Sequence, residues 1–468
     1  MKYISTRGEA PKLAFDDVLL AGLARDGGLY MPETWPQFST EELSSFKGLS
    51  YTELAQKVMT PFVEEVIDAD DLKAILEDTY KGFDHEDVAP LVKLGENEFV
   101  LELFHGPTLA FKDYALQFLG RIFDHVLTKR GAKLTIAGAT SGDTGSAAIE
   151  ACRDRDNIEI FILFPNGKVS EVQRRQMSTV LSDNVHNIAL DGNFDDCQNT
   201  VKALFNDEEF RDQVNLSAVN SINWARIMAQ VVYYFWAGLK AGAPDTKVSF
   251  SVPTGNFGNV LAGIVAMKMG LPVEQFIIGS NANDILIRFI EQGAMESKGV
   301  VATTSPSMDI QISSNFERFL FELMDRDASA LTAAMESFKN SGSYDVTDEV
   351  MTRLKAIMDG ERFDDAGTAK LIGDIHKESG YLLDTHSAIG VGAARAKRKD
   401  ASVPMICLAT AHPAKFPDAV KAASGVHPEL PPHLSDLYER EERLVELPGS
   451  FDAVKGHIET TLKERGKL

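Results

Sequence analysis

The sequence predicts an α/β protein built on parallel sheets, and three observations carry that prediction. From residue 133 onward, apolar runs of strand length alternate with helix-like segments. That is the pattern of strands that run parallel and are covered on both faces. Two strand-to-helix junctions, 138–145 and 253–259, are rich in small residues, which let a ligand approach the backbone. Ahead of them, residues 1–95 are rich in acidic, helix-like segments such as 41–46 and 51–67, which read as an added, mostly helical N-terminal domain.

A chain of 468 residues is too long for one simple core. The expected division is an N-terminal domain over 1–95, a large domain from 96–124 and 221–468, and a small α/β domain over 125–220. The longest apolar run, 231–239, is too short to span a bilayer. No basic segment followed by an apolar core opens the chain, so no secretion signal is expected. Cys152, Cys197 and Cys407 are far apart and form no C-x-x-C pair. That indicates neither a disulfide framework nor a zinc site, no metal is expected, and a reducing cytoplasm fits best. A net charge of −22 argues against a nucleic-acid partner, which calls for a basic face. It does not exclude a small anion, because backbone N–H groups, helix N-termini and a few arginines can hold one.

Residues 99–104 form an apolar run with one glutamate and read as a strand, which Gly106-Pro107 breaks. Thr108 is a candidate cap for the helix that follows, and Lys112 lies on its first turns. Leu109, Ala110, Phe111 and Leu116 would partly bury the ammonium. Burial lowers a lysine pKa and makes the amine a usable nucleophile. A lysine snorkelling from an amphipathic helix is the plainer alternative on this stretch alone. The run 134–137 reads as the next strand, and the helix from Ser146 would offer its N-terminus to an anion across the loop between them. That loop lacks the Gly-Lys-Ser/Thr ending of a Walker motif. Strands at 159–164 and 186–190 and helices at 169–181 and 195–205 complete the small domain.

The helix through residue 239 is led by Asn220 and Ser221, either of which is a natural N-cap. Arg226 lies about one turn on, placed to present its fork to an oxyanion; capping and a surface ion pair are the alternatives. After a strand at 247–252, two glycines in 253–259 could cradle a phosphate with backbone N–H groups. A nucleotide site or a purely structural turn fits that loop equally well. Residues 280–375 elaborate the large domain. A last apolar strand, 405–408, ends in Ala-Thr-Ala-His-Pro-Ala-Lys-Phe, in which His412, beside a proline, reads as structural.

The stretch His-Gly-Pro-Thr-Leu-Ala-Phe-Lys-Asp, 105–113, resembles the lysine motif of threonine synthases, pyridoxal-phosphate enzymes of fold type II (tryptophan synthase β-like). Asn-Ser-Ile-Asn-Trp-Ala-Arg at 220–226, Gly-Asn-Phe-Gly-Asn at 255–259 and the stretch 409–416 resemble the same family. Residues 3–8 and 26–33 resemble the opening of its longer, fungal and Gram-negative form. The resemblance implies two parallel-sheet α/β domains plus the N-terminal domain, and pyridoxal 5′-phosphate as cofactor. It implies that Lys112 forms the Schiff base with the cofactor and is the catalytic residue. Gly255, Asn256, Phe257, Gly258 and Asn259 would grip the cofactor phosphate, and Thr410 would face the pyridine nitrogen. Thr140, Ser141, Gly142 and Thr144 would bind the substrate carboxylate, and Asn220, Ser221 and Arg226 its phosphate. Asp143 would lie near the cofactor's phenolic oxygen, where many relatives carry Asn. An aspartate there repels a phenolate unless one partner is protonated. The implied reaction is the last step of threonine biosynthesis. O-phospho-L-homoserine and water give L-threonine and phosphate by γ-elimination and β-addition of water. The enzyme would be a cytoplasmic monomer or small homo-oligomer, with no membrane or nucleic-acid partner.

Overall fold

Apolar runs that alternate with helices become parallel strands in the structure, a computed structural model that describes residues 1–468. The chain forms two compact units, one of residues 1–115 and 221–428, the other of residues 116–220 and 429–468.

The first unit is built on a six-stranded sheet. Its order is Met358–Arg362, Val273–Ser280, Val248–Pro253, Met405–Ala409, Glu98–Glu102 and Leu91–Gly95. Every neighbouring pair is parallel except the last. Val248–Pro253 and Met405–Ala409 are buried at every position, as expected of central strands covered on both faces. Ala388, Val391, Ala393 and Ala394 of the helix Thr385–Lys397 join Val100, Ile277, Met405 and Cys407 in one apolar cluster. The helix Trp224–Lys240 is buried from Trp224 to Gly238, which explains why its sequence is apolar almost all round.

The expected N-terminal domain is not a compact unit of its own. Tyr3–Ser5 pairs antiparallel with Tyr30–Pro32, a pairing of two three-residue strands that the sequence does not announce. The turn that follows is built into the fold: Ser5 and Thr6 are buried, the Thr6 hydroxyl donates to Glu317 at 2.7 Å and Arg7 pairs with the same carboxylate at 3.1 Å. Arg318 is fully buried and donates twice to the Tyr30 carbonyl, at 3.0 and 2.6 Å. A buried guanidinium needs acceptors, and here the N-terminal segment supplies them, so the boundary at residue 95 disappears.

The second unit holds a five-stranded, wholly parallel sheet. Its order is Val445–Leu447, Val185–Leu190, Ile158–Pro165, Leu134–Ala139 and Leu216–Ser217. Residues 429–468 belong here and not to the large domain. Their helix Phe451–Glu464 buries Val454, Ile458 and Leu462 among Phe161, Leu163, Ile188 and Leu204, at about 2 kcal/mol for each apolar side chain. No helix is long and apolar enough to cross a membrane.

Candidate active site

The first unit gathers its candidate residues at the carboxyl ends of three adjacent strands, where ligands bind in open α/β sheets. The chain leaves Glu98–Glu102 into the turn that carries Lys112, and leaves Val248–Pro253 into the loop 255–259. Between them, Met405–Ala409 ends at Thr410. Backbone bonds lock the lysine turn onto the last of these. Leu103 N–H donates to Ala409 O at 2.9 Å, Phe111 N–H to Thr410 O at 2.9 Å and His412 N–H to Leu109 O at 3.0 Å. Lys112 and Thr410 are thereby held side by side.

Lys112 opens the helix Lys112–Arg130 and is half-buried. Thr108 does not cap that helix in the expected way. Its hydroxyl donates to Asp113 Oδ1 at 2.6 Å and its N–H to Asp113 Oδ2 at 2.8 Å. Asp113 is fully buried, and burial pushes its carboxyl up to about 6. Leu109, in the same turn, has a left-handed φ of 63°, a conformation costly for a branched side chain. His412 caps the short turn Pro413–Lys415, its Nδ1 accepting from Ala414 N–H at 3.1 Å. Burial lowers its pKa to about 4; its work is structural.

The loop 255–259 is the second strained turn. Phe257 has φ 61° at the cap of the helix Gly258–Lys268 and is pinned between Phe316 and Phe319, with ring centroids 5.0 and 5.4 Å away. Gly255 has no room for a side chain: a Cβ would lie 2.7 Å from the Ser307 carbonyl. The Asn259 oxygen accepts the hydroxyls of Tyr233 and Tyr234 at 2.7 and 2.9 Å, which turns its NH₂ the other way, buried and without a partner.

Arg226 repeats that state with a charge. It is 4 % exposed, burial lowers its pKa to about 10, and its Nε and Nη1 have no hydrogen-bond partner. A buried guanidinium in this condition calls for an anion. The expected alternative of a surface ion pair does not apply. Nor do Asn220 or Ser221 cap the helix; that is done by Asn223, whose side chain accepts from Ala225 N–H. Ser221 is instead held through its carbonyl by Asn315 Nδ2 at 2.9 Å, which also donates to Asn256 O at 3.2 Å. Arg318 orients that amide by donating to Asn315 Oδ1 at 2.6 Å and reaches Ile222 O at 2.7 Å. Asn315 and Arg318 thus tie the stretch 220–226 to the loop 255–259. Both lie within 280–375, which the sequence presents only as an elaboration of the large domain, with no work for these side chains.

The second unit carries the other loop. The helix begins at Asp143, not Ser146. The Thr140 hydroxyl accepts the N–H groups of Gly142 and Gly145, both at 2.9 Å, and braces the turn from inside. Asp143 is buried and accepts from Gln173 Nε2 at 2.8 Å. Ser141 is exposed and Thr144 half-buried.

The residues fit a phosphate-bearing cofactor in the first unit: a glycine-lined turn at a helix N-terminus, an unpaired buried amide and, two strands across, a lysine in the turn after Glu98–Glu102. Residues 83–406 match the family described as pyridoxal-phosphate dependent enzyme, and the chain belongs to that class. Models described as threonine synthase N terminus and threonine synthase, C-terminal match residues 2–80 and 387–458. A threonine synthase of Pseudomonas aeruginosa is 57% identical over 459 residues, covering 98% of each chain. The crystal structure of the pyridoxal-phosphate-bound threonine synthase from Brucella melitensis superposes with a TM-score of 0.97 at 56% identity, covering 98% of this chain and 99% of that one. The Escherichia coli threonine synthase gives 0.82 at 31% identity, over 98% of this chain and 100% of its own. This chain is a member of the threonine synthase family, and its cofactor is pyridoxal 5′-phosphate.

Proposed function

We propose that the chain converts O-phospho-L-homoserine and water to L-threonine and phosphate, with Lys112 as the lysine that binds the cofactor. The observation that supports this most is the buried Arg226 guanidinium with two unpaired nitrogens, on the first turn of the helix that follows Asn220 and Ser221. It is suited to a dianionic phosphate that enters with the substrate and leaves during the reaction. When bound, pyridoxal phosphate supplies the electron sink that makes protons on the substrate's carbon chain removable.

The protein's own residues do the rest. Lys112 would hold the cofactor and, when its amine is free, would move protons at Cα, Cβ and Cγ. Arg226, Ser221 and Asn220 hold the substrate phosphate and stabilise the charge that builds on it as the Cγ–O bond breaks. Gly255, Asn256, Phe257, Gly258 and Asn259 would hold the cofactor phosphate, with Asn259 Nδ2 and the helix N-terminus as donors. Thr410 would offer the pyridine nitrogen a neutral hydroxyl, which cannot hold a proton there by charge as an aspartate would. Thr140, Ser141, Gly142 and Thr144 would bind the substrate carboxylate, and Asp143, which accepts from Gln173, would be the residue for the cofactor's phenolic oxygen. The three cysteines are free and buried, in keeping with a reducing cytoplasm, where the enzyme works as a monomer or small homo-oligomer.

The test is a product assay on phosphohomoserine with purified protein and cofactor. Threonine and phosphate should appear in equal amounts, and Lys112→Ala should abolish both while leaving the circular dichroism spectrum intact. An oxoacid product, or threonine formation by the lysine variant, would refute the reading.

A further inference from the structure

We propose that Ser307 is a further catalytic residue whose hydroxyl fixes the Lys112 amine, and that His386 and Asp384 are positioning residues that set it in place. The inference rests on Lys112 being the reactive lysine.

Lys112 Nζ donates to Ser307 Oγ at 3.3 Å. A lysine amine is a point charge on a flexible stem, yet here it must leave one carbon and then serve several others. Holding it within reach of each is worth as much as the chemistry of the amine itself. Ser307 lies in the short turn Pro306–Met308, and two features immobilise that turn. One is Gly255, whose missing side chain lets the Ser307 carbonyl approach closely. The other is His386, whose Nε2 accepts the Ser307 N–H at 3.2 Å.

Accepting at Nε2 places the ring proton on Nδ1, which faces Asp384 Oδ1 at 3.0 Å. Asp384 is fully buried, His386 is 4 % exposed, and the Phe416 ring lies 4.9 Å from the imidazole. Asp384 also caps the helix Thr385–Lys397 through the N–H groups of His386 and Ser387. Capping explains the carboxylate but not the imidazole, which reaches away from the helix to the turn. The second oxygen of Asp384 accepts the Ser387 hydroxyl, and that hydroxyl accepts Thr410 N–H at 2.9 Å. One buried carboxylate therefore orders both the hydroxyl on Lys112 and the backbone of Thr410.

The experiment compares holoenzymes. In Ser307→Ala, kcat should fall by about 100-fold with KM within about threefold, the cost of a misplaced reacting group. The rate at which L-threonine displaces Lys112 from the cofactor, followed by absorbance, should fall in parallel. Ser307→Thr, which keeps the hydroxyl, should recover most of both rates. For the ring, His386→Gln keeps an acceptor near the place of Nε2, whereas His386→Asn reaches only toward Asp384. The glutamine variant should therefore be the faster in both readouts at equal melting temperature.

Wild-type kcat and displacement rate in Ser307→Ala would overturn the proposal, and so would an effect confined to KM. Equal rates in the two His386 variants would overturn the positioning role. If Ser307→Ala fails to retain cofactor, Ser307→Cys is read by the same criteria. Borohydride reduction of the wild type with peptide mapping separates the two readings. A label on another lysine removes the proposed function, whereas a label on Lys112 with an indifferent Ser307 removes only this inference.

Discussion

Two loops of this chain share one sequence pattern, an apolar strand followed by small residues and a helix, yet their donors end in opposite states. In the first unit, residues 255–259 leave the Asn259 NH₂ buried and unpaired. In the second, residues 140–145 turn the N–H groups of Gly142 and Gly145 inward onto Thr140. The difference comes from what surrounds each loop. Tyr233 and Tyr234 occupy the Asn259 oxygen and so aim its amide outward, whereas the second loop has a hydroxyl of its own at its centre. A run of small residues is thus a permit for a ligand; the neighbours decide whether donors are kept for one.

The largest expected effect removes the charged counterpart of the open loop. Arg226→Ala should weaken phosphohomoserine binding by about 2–5 kcal/mol, the usual cost of removing one partner of a desolvated charge pair. A phosphate-free analogue should bind almost unchanged, as should the cofactor. Arg226→Lys should recover only part of the loss, since it lacks the planar fork. Equal weakening of both ligands in a calorimetric titration would mean that Arg226 supports the fold or the carboxylate.

A matched pair of glycine variants comes next. Gly255→Ala pushes a methyl group to 2.7 Å from the Ser307 carbonyl and should weaken cofactor binding by about 1–3 kcal/mol, the range for overpacking. Gly142→Ala meets the Gln173 side chain at 2.3 Å from a φ of 142°. Its strain of about 1–3 kcal/mol should appear as a raised KM and a lower melting temperature, with cofactor affinity unchanged. Loss of cofactor affinity in both would erase the distinction between the loops.

Thr140→Val tests the self-satisfied loop directly. It strands two N–H groups and should cost about 1–3 kcal/mol in stability, whereas Thr140→Ser should cost little. Thermal unfolding decides.

The smallest effect lies outside both loops and is read by pH. Beside the lysine turn, burial alone would lower the pKa of His105. Hydrogen bonds to Asp84 and Glu102, at 2.7 and 2.8 Å, outweigh it and raise the value to about 9. A folded value above the unfolded one, about 6.5, gives stability that is complete below that pH and lost as pH rises through about 9. His105→Gln should flatten that slope of the melting temperature by roughly 2 °C. An unchanged slope would show that the imidazole is not protonated there.

Most of this was legible because it is local. Strands 134–139, 158–165 and 185–190 and their helices lie within a few residues of where apolar runs and turns predict them. Lys112, the glycine loop and Thr410 converge because parallel strands place their carboxyl ends together. What the sequence hid depends on distant partners. Val445–Leu447 is a three-residue, largely exposed strand with no pattern to announce that it extends a sheet. Nothing local to Arg318 announces that Tyr30, Ile222 and Asn315 surround it. Nothing local to Asp384 says that the histidine two residues on reaches across to Ser307.

The bond between Arg318 and Tyr30 spans 288 residues of sequence, and this sets a timetable for the chain on the ribosome. At about 5–20 residues per second, Tyr30 emerges roughly 15–60 seconds before the guanidinium that will cover its carbonyl. Until then the Tyr30 carbonyl lacks its buried guanidinium, and residues 220–226 lack the side chain that later anchors Ile222. The opening segment is among the first to be synthesised and among the last to be secured. A nascent chain halted before Arg318 should remain protease-sensitive at its N-terminus, and one released just beyond the strand that ends at Ala409 should not.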